Sequence, residues 1–188
     1  ALNREGSGST TGVIRAVSWC VEEAKARKKP AVISLSLGGG QSNAMDRSVE
    51  AASKAGNIVV VAAGNENRDA CNYSPAAAGG QGKRGGVITV GSTTKTDMLS
   101  GFSNDGECVD ILAPGSQITS ASHKNNNDYR VLSGTSMAAP HVSGVAAALL
   151  EKHDGDKDAP VNELFALAKA ITIESVPLDT VNLLLQSP

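Results

Sequence analysis

Aromatic side chains are nearly absent: the 188 residues include one Trp, two Tyr and two Phe. The core must therefore be filled by Ala, Val, Leu, Ile and Gly, which suits helices packed closely on a buried sheet. Long apolar runs are missing too. None approaches the ~20 residues needed to span a bilayer, so no membrane is expected as partner, and no secretory signal is visible. Neither sign of charge dominates. A formal net charge of −2 gives no reason to expect nucleic acid or an anionic surface as partner. Cysteine is scarce and odd in number, at three, so no intramolecular pairing can use every thiol.

What is present reads as one globular domain. Apolar residues make up 40% of the chain and charged residues 19%, and a chain of this size buries roughly 70% of its unfolded surface. Helix and strand signals alternate. Val13, Ile14, Val17, Cys20, Val21 and Ala24 recur at helical spacing over 11–26, with Ser9 or Thr10 available as cap. Cys20 on that face reads as a buried thiol. The basic run at 25–29 reads as a solvated helix end before Pro30. A short strand over 31–37 closes on Gly38-Gly39-Gly40. A helix over 42–55 presents Met45, Val49 and Ala52.

The run at 58–62 is continuously apolar, as a parallel strand covered on both faces should be. Strands are expected again at 87–90 and 109–112. A buried helix follows over 137–150, with Pro140 placed in its first turn, where proline is tolerated. A last amphipathic helix is expected over 162–171, showing Leu164, Phe165, Leu167, Ala168 and Ile171. Residues 79–86 and 122–128 read as surface loops. The alternation predicts an α/β fold, a doubly wound and mostly parallel sheet with helices on both faces. Working residues in such sheets gather beyond the carboxyl ends of strands, where Gly38 and Asn65 fall.

The most informative segment is Gly134-Thr135-Ser136-Met137-Ala138-Ala139-Pro140-His141. It sets Ser136 at the start of a helix of small residues, where unpaired N–H groups and the positive dipole end favour an oxyanion. A serine there suits a nucleophile that attacks a carbonyl; taken alone, it suits a helix cap equally well. His141 is no base for it. Five residues along a helix is about 140° around the axis and about 7.5 Å along it, so His141 points elsewhere. His123 lies in a polar loop and His153 beyond a helix end, with no motif around either.

Gly134-Thr135-Ser136-Met137-Ala138-Ala139-Pro140-His141-Val142-Ser143-Gly144 resembles the nucleophile segment of the subtilisin-like serine proteases. Ser34-Leu35-Ser36-Leu37-Gly38-Gly39 resembles that family's substrate-binding strand, in its proteinase K branch. Val59-Val60-Val61-Ala62-Ala63-Gly64-Asn65 resembles the strand and turn carrying the oxyanion-hole asparagine. Asn72-Tyr73-Ser74-Pro75-Ala76, Ile88-Thr89-Val90-Gly91, Phe102-Ser103-Asn104 and Ala113-Pro114-Gly115 follow in family order, and Thr180-Val181-Asn182-Leu183-Leu184 resembles the closing segment. The family's Asp-Thr-Gly and His-Gly-Thr-His segments, which carry its catalytic aspartate and histidine, do not occur here. The resemblance therefore implies that residues 1–188 are the C-terminal portion of a single catalytic domain.

The resemblance implies a serine endopeptidase acting through an acyl-enzyme on Ser136. Its oxyanion hole would be formed by the Asn65 amide and the Ser136 N–H, a donor of that kind contributing roughly 3–4 kcal/mol. Ser36, Leu37 and Gly38 would bind an extended polypeptide substrate by strand addition. Ala63 and Gly64 would form the facing wall of the specificity pocket, and Thr135 would shape the site. Small, uncharged walls predict apolar or aromatic side chains before the cleaved bond. An inhibitory propeptide is implied as partner, and no cofactor for catalysis. Proteinase K-like members carry cysteines at the places of Cys71 and Cys108, which implies a disulfide and a secreted, extracellular setting; two buried free thiols are the simpler alternative. Asp110, with backbone carbonyls near Val87, matches a structural calcium site of that branch, although the loop at 79–86 is longer than the family's turn.

Three other readings compete. The serine turn resembles a nucleophile elbow of α/β-hydrolase esterases, but that fold needs a well-set histidine later in the chain. Gly6-Ser7-Gly8-Ser9-Thr10 hints at a phosphate loop, but no preceding strand or lysine accompanies it. A triad-deficient relative retained as a binding protein is the non-enzymatic alternative. Asn72-Tyr73-Ser74 fits a glycosylation sequon, but Pro75 follows it and decoration is not expected.

Overall fold

The computed structural model describes residues 1–80, 86–154, 156–168 and 173–188. In chain order its elements are α1 (Thr10–Arg27), β1 (Val32–Leu35), β2 (Gly39–Gly40), α2 (Asn43–Lys54), β3 (Ile58–Ala62) and β4 (Tyr73–Ser74). They continue with β5 (Val87–Thr93), β6 (Ile111–Pro114), β7 (Ile118–Ala121), β8 (Tyr129–Leu132), α3 (Thr135–Lys152) and α4 (Asp158–Leu167). Strands β1, β3, β5 and β6 form one parallel sheet in that order. The pairs β2–β4 and β7–β8 are small antiparallel ribbons.

Strand β3 shows why both faces must be covered. All five of its residues are buried, and because side chains alternate across a strand they divide between two cores. Ile58, Val60 and Ala62 pack with Ala138, Ala139, Val142, Ala146 and Leu149 of α3 and with Leu164 of α4. Val59 and Val61 pack with Val13 and Val17 of α1 and with Met45, Val49 and Ala52 of α2. The doubly wound architecture expected from the alternation is the one observed. Caps fix the helix ends: Ser9 Oγ accepts the Gly12 N–H and Ser42 Oγ the Met45 N–H.

Element boundaries differ from expectation where backbone bonding overrides the apolar pattern. β1 stops at Leu35, so Ser36 and Leu37 leave the sheet, while Gly39–Gly40 turns to pair with Tyr73–Ser74. β5 runs on through Thr93, and β6 begins only at Ile111. Hairpin β7–β8 surrounds the expected loop at 122–128. Helix α4 starts at Asp158 because Pro160 sits in the first turn, where no N–H is missed. Helix α3 starts at Thr135, two residues early, which moves Pro140 out of its first turn. Ile171 and residues 81–85 of the expected loop lie outside the described residues.

The sheet's two edges differ. The outer side of β6 is covered, since the Leu112 N–H donates to Leu183 O at 2.8 Å and the Leu185 N–H to Leu112 O at 2.9 Å. Among the described residues no strand pairs with the outer side of β1. No described helix is long and apolar enough to cross a membrane.

Cys71 and Cys108 are joined as a disulfide, their Cα atoms 5.3 Å apart. Cys20 is free and half-buried at the margin of the α1–α2 core, not fully buried as its helical spacing suggested. The bridge spans a sequence separation of 37. In the chain-entropy picture, closing such a loop stabilises by about 3–4 kcal/mol. Thermal melting of the protein should therefore fall on reduction, and the paired Cys71→Ser and Cys108→Ser variant should melt at the reduced value without reductant. Melting unchanged by either treatment would refute a stabilising bridge.

Candidate active site

Ser136 is the second residue of α3, behind the N-cap Gly134. Its own carbonyl would ordinarily accept the N–H of residue 140, but Pro140 has none. Ser36 supplies the replacement: its Oγ donates to Ser136 O at 2.9 Å. In return, Ser136 Oγ reaches Ser36 O at 3.4 Å, a long contact. Ser36 lies just beyond the carboxyl end of β1, where an α/β sheet places its working residues.

Asn65 is delivered by β3. Gly64, at φ +107°, makes the turn out of the strand, and an added Cβ there would collide with the Asn104 side chain. The Thr135 N–H donates to Asn65 Oδ1 at 2.8 Å, and Thr135 Oγ1 donates to the same oxygen at 3.0 Å. Thr135 Oγ1 in turn accepts the Gly64 N–H at 3.1 Å. Two donors on one amide atom require it to be the oxygen, so the Asn65 NH2 is left to face outward. Thr135, expected only to shape the site, orients the amide.

Asn104 holds the same turn from beneath. Fully buried, it accepts the N–H groups of Glu66 and Arg68 on Oδ1 and donates from Nδ2 to Ala63 O and Glu66 Oε2. The sequence showed Asn104 only as part of a family motif. Leu37, Gly38, Ala63, Gly64, Asn65, Thr135 and Ser136 line one depression, so the expected site residues converge. Ser36 lines the adjoining depression with Leu37, Gly38 and Met45. Glu66 also lines the first depression, adding a carboxylate to walls read as uncharged. Its position next to Asn65 was the available signal.

None of the three histidines joins Ser136. His141 Nδ1 lies 2.8 Å from Met137 O, His153 Nε2 lies 2.6 Å from Glu163 Oε2, and His123 is exposed beside β7. Asp110 stands apart from that depression, two residues after the disulfide's Cys108. It is buried and accepts the N–H groups of Gly80 and Thr89; burial outweighs those bonds and pushes its carboxyl up from 3.8 to about 6. Val87 begins β5 nearby in the sheet. Among the described residues no three His, Cys, Asp or Glu side chains gather as a metal cluster. Asp110 is thus a lone carboxylate whose oxygens already hold backbone donors.

With this geometry in place, comparison with known proteins assigns the chain: the subtilase family profile, peptidase S8, matches residues 1–180, and the chain belongs to that family. It is 50% identical over 165 residues to alkaline serine exoprotease A of Vibrio alginolyticus, covering 87% of this chain and 28% of that one. It is 44% identical over all 188 residues to an extracellular serine proteinase of Thermus sp. (strain Rt41A), covering 44% of it. The crystal structure of a cold adapted subtilisin-like serine proteinase superposes with a TM-score of 0.90 at 44% identity, over 100% of this chain and 65% of that one. The chain spans less than half the length of these two sequence relatives.

The raised Asp110 value has a signed consequence. Between 3.8 and about 6 the folded chain binds more protons than the unfolded chain. The stabilisation from protonated Asp110 is complete below the unfolded value and is lost as pH rises through about 6. The shift corresponds to at most about 3 kcal/mol. With chelator present, denaturant unfolding of the protein from pH 4 to 7 should show this loss, and Asp110→Asn should flatten it. Equal slopes in both proteins would show that Asp110 does not titrate in that window.

Proposed function

We propose that residues 1–188 form the C-terminal portion of the catalytic domain of a secreted serine endopeptidase, with Ser136 as nucleophile and Asn65 as oxyanion donor. One observation carries this reading. Thr135 turns the Asn65 NH2 outward in the depression that also receives Ser136 at a helix N-terminus. Attack by Ser136 Oγ on a peptide carbonyl would place the developing negative charge between that NH2 and the Ser136 N–H. Charge that appears only in the transition state is where preorganised donors lower a barrier. The base that takes the Ser136 proton comes from outside these 188 residues, because none of their histidines approaches Ser136.

Ser36 and Gly38 are exposed beyond β1, which supports pairing of an extended polypeptide along Ser36, Leu37 and Gly38. Ala63 and Gly64 give the pocket its small walls, supporting a preference for apolar or aromatic side chains. The Glu66 carboxylate accepts from Asn104 Nδ2 at the pocket wall. An inhibitory propeptide and an extracellular setting are part of the proposal; the Thermus relative is named extracellular, and the disulfide fits an oxidising compartment.

A serine-directed fluorophosphonate tests the central reading. Full-length protein should be labelled at Ser136 and should cleave a peptide library at bonds preceded by apolar or aromatic residues. Residues 1–188 alone should remain unlabelled, since they lack the base and leave one edge of β1 bare. Stoichiometric labelling of residues 1–188, lost on Ser136→Ala, would place a base within them. A full-length protein that takes no label would favour the triad-deficient binding protein instead.

A structural calcium at Asp110, which the resemblance implies, would draw on the carboxylate lone pairs that the Gly80 and Thr89 N–H groups leave open and on backbone carbonyls near Val87. A bound cation would hold Asp110 ionised and offset its burial. Full-length protein should melt higher in calcium than in chelator, and Asp110→Asn should shrink the difference. Equal melting in all four samples would dismiss the site.

A further inference from the structure

We infer that the Ser36 hydroxyl is a positioning group for the nucleophile, holding Ser136 by the hydrogen bond that Pro140 withdraws from the helix. The inference rests on the protease reading of Ser136 and adds to Ser36 a role separate from pairing with substrate. An α-helix fixes each residue through its carbonyl as well as its N–H, the carbonyl of residue i receiving the N–H of i+4. At Ser136 that donor is missing, because residue 140 is proline inside the helix. The carbonyl left over belongs to the residue whose placement decides the chemistry. It is taken instead by Ser36 Oγ at 2.9 Å, across 100 residues of sequence.

The substitution changes what Ser136 is anchored to. An N–H from residue 140 would tie Ser136 to its own helix. The Ser36 hydroxyl ties it to the exit of β1, the segment that would carry the substrate, so nucleophile and bound peptide share one frame. A second link lies one strand repeat back: Ser143 Oγ is 2.8 Å from Ser34 Oγ. Ser34 lies on β1 and Ser36 just past its end, and the hydroxyls of both meet α3. That register keeps the Ser36 hydroxyl aimed at the first turn of the helix. Small misplacements of a reacting atom cost rate steeply, of the order of 10²-fold for 1 Å.

The pairing of a missing donor with a supplied one allows a cycle of substitutions. In full-length protein, Ser36→Ala should lower kcat on a peptide anilide about tenfold with KM changed less than twofold, the pattern of a group that positions rather than binds. Pro140→Ala restores a backbone N–H at the helix position that reaches the Ser136 carbonyl. In that background Ser36→Ala should therefore cost less than twofold in kcat. Ser36→Thr, which keeps a hydroxyl, should retain most of the wild-type kcat. Melting temperatures accompany each variant, and Ser36→Cys, a weak donor, replaces Ser36→Ala in the cycle if the alanine variant melts below the assay temperature.

Equal kcat losses from Ser36→Ala in both backgrounds, no loss at all because water fills the place of the hydroxyl, or a loss confined to KM would each overturn the inference while leaving the protease reading intact. Wild-type protein that neither cleaves peptide nor takes the fluorophosphonate would overturn the protease reading, and this inference with it.

Discussion

Thr135 is fully buried, and its one hydroxyl accepts from Gly64 and donates to Asn65 while its backbone N–H donates to Asn65 as well. Those three bonds join the end of β3 to the beginning of α3. Both elements are rigid for independent reasons: β3 is buried along its whole length, and α3 is pressed onto the sheet by Ala138, Ala139, Val142 and Ala146. Two side chains from distant parts of the sequence thus meet in a geometry that neither could hold from a loop. Without the clamp, Asn65 would be an exposed turn residue with a freely rotating amide.

The clamp works because the turn after β3 is held from the other side. Asn104 uses both ends of its amide on residues 63–68 and donates its own N–H to Gly64 O. It approaches so closely that Gly64 has no room for a Cβ. A polar group buried this completely is stable only when each of its bonds is made, so the turn has little freedom to reshape. Farther along, the Cys71–Cys108 bridge ties the end of this segment to the approach to β6. Rigidity here is redundant, which supports the proposed role of Asn65 as a donor in place before charge develops.

Much of this was legible in the sequence. The run at 58–62 marked β3 to the residue, because a strand buried on both faces leaves no polar position to blur its ends. The helix expected over 42–55 matches α2 to within a residue at each end, with Ser42 as its cap. Motif resemblance singled out Ser136 and Asn65, which the fold brings to one depression, and the Cys71–Cys108 pairing. Three features could not be read. Glu66 and Asn104 meet only through the fold, 38 residues apart. The sequence places the start of α3 at Met137, whereas the helix begins at Thr135, and the bond that Pro140 then withholds is made good by Ser36 from another element. Hairpin β7–β8 escaped because all of β8 is exposed and shows no two-faced pattern.

The scarcity of aromatics bears on the same contact. The first turns of helix α3 meet the sheet through Ala138, Ala139, Val142 and Ser143, with Leu149 only farther along, and those side chains are short enough to bring helix backbone near the strands. Hydroxyls of Ser34 and Ser36 can then span from β1 to α3 directly, one to Ser143 and one to a main-chain carbonyl. Large aromatic side chains at Ala138 or Ala139 would fill the same interface with more apolar area but hold the helix farther off. Neither the Ser36 bond nor the Thr135 clamp would reach. The small-residue core is therefore a condition on the site as well as on the packing: it gives up the burial that large side chains supply and gains the close approach on which every bond to the start of α3 depends.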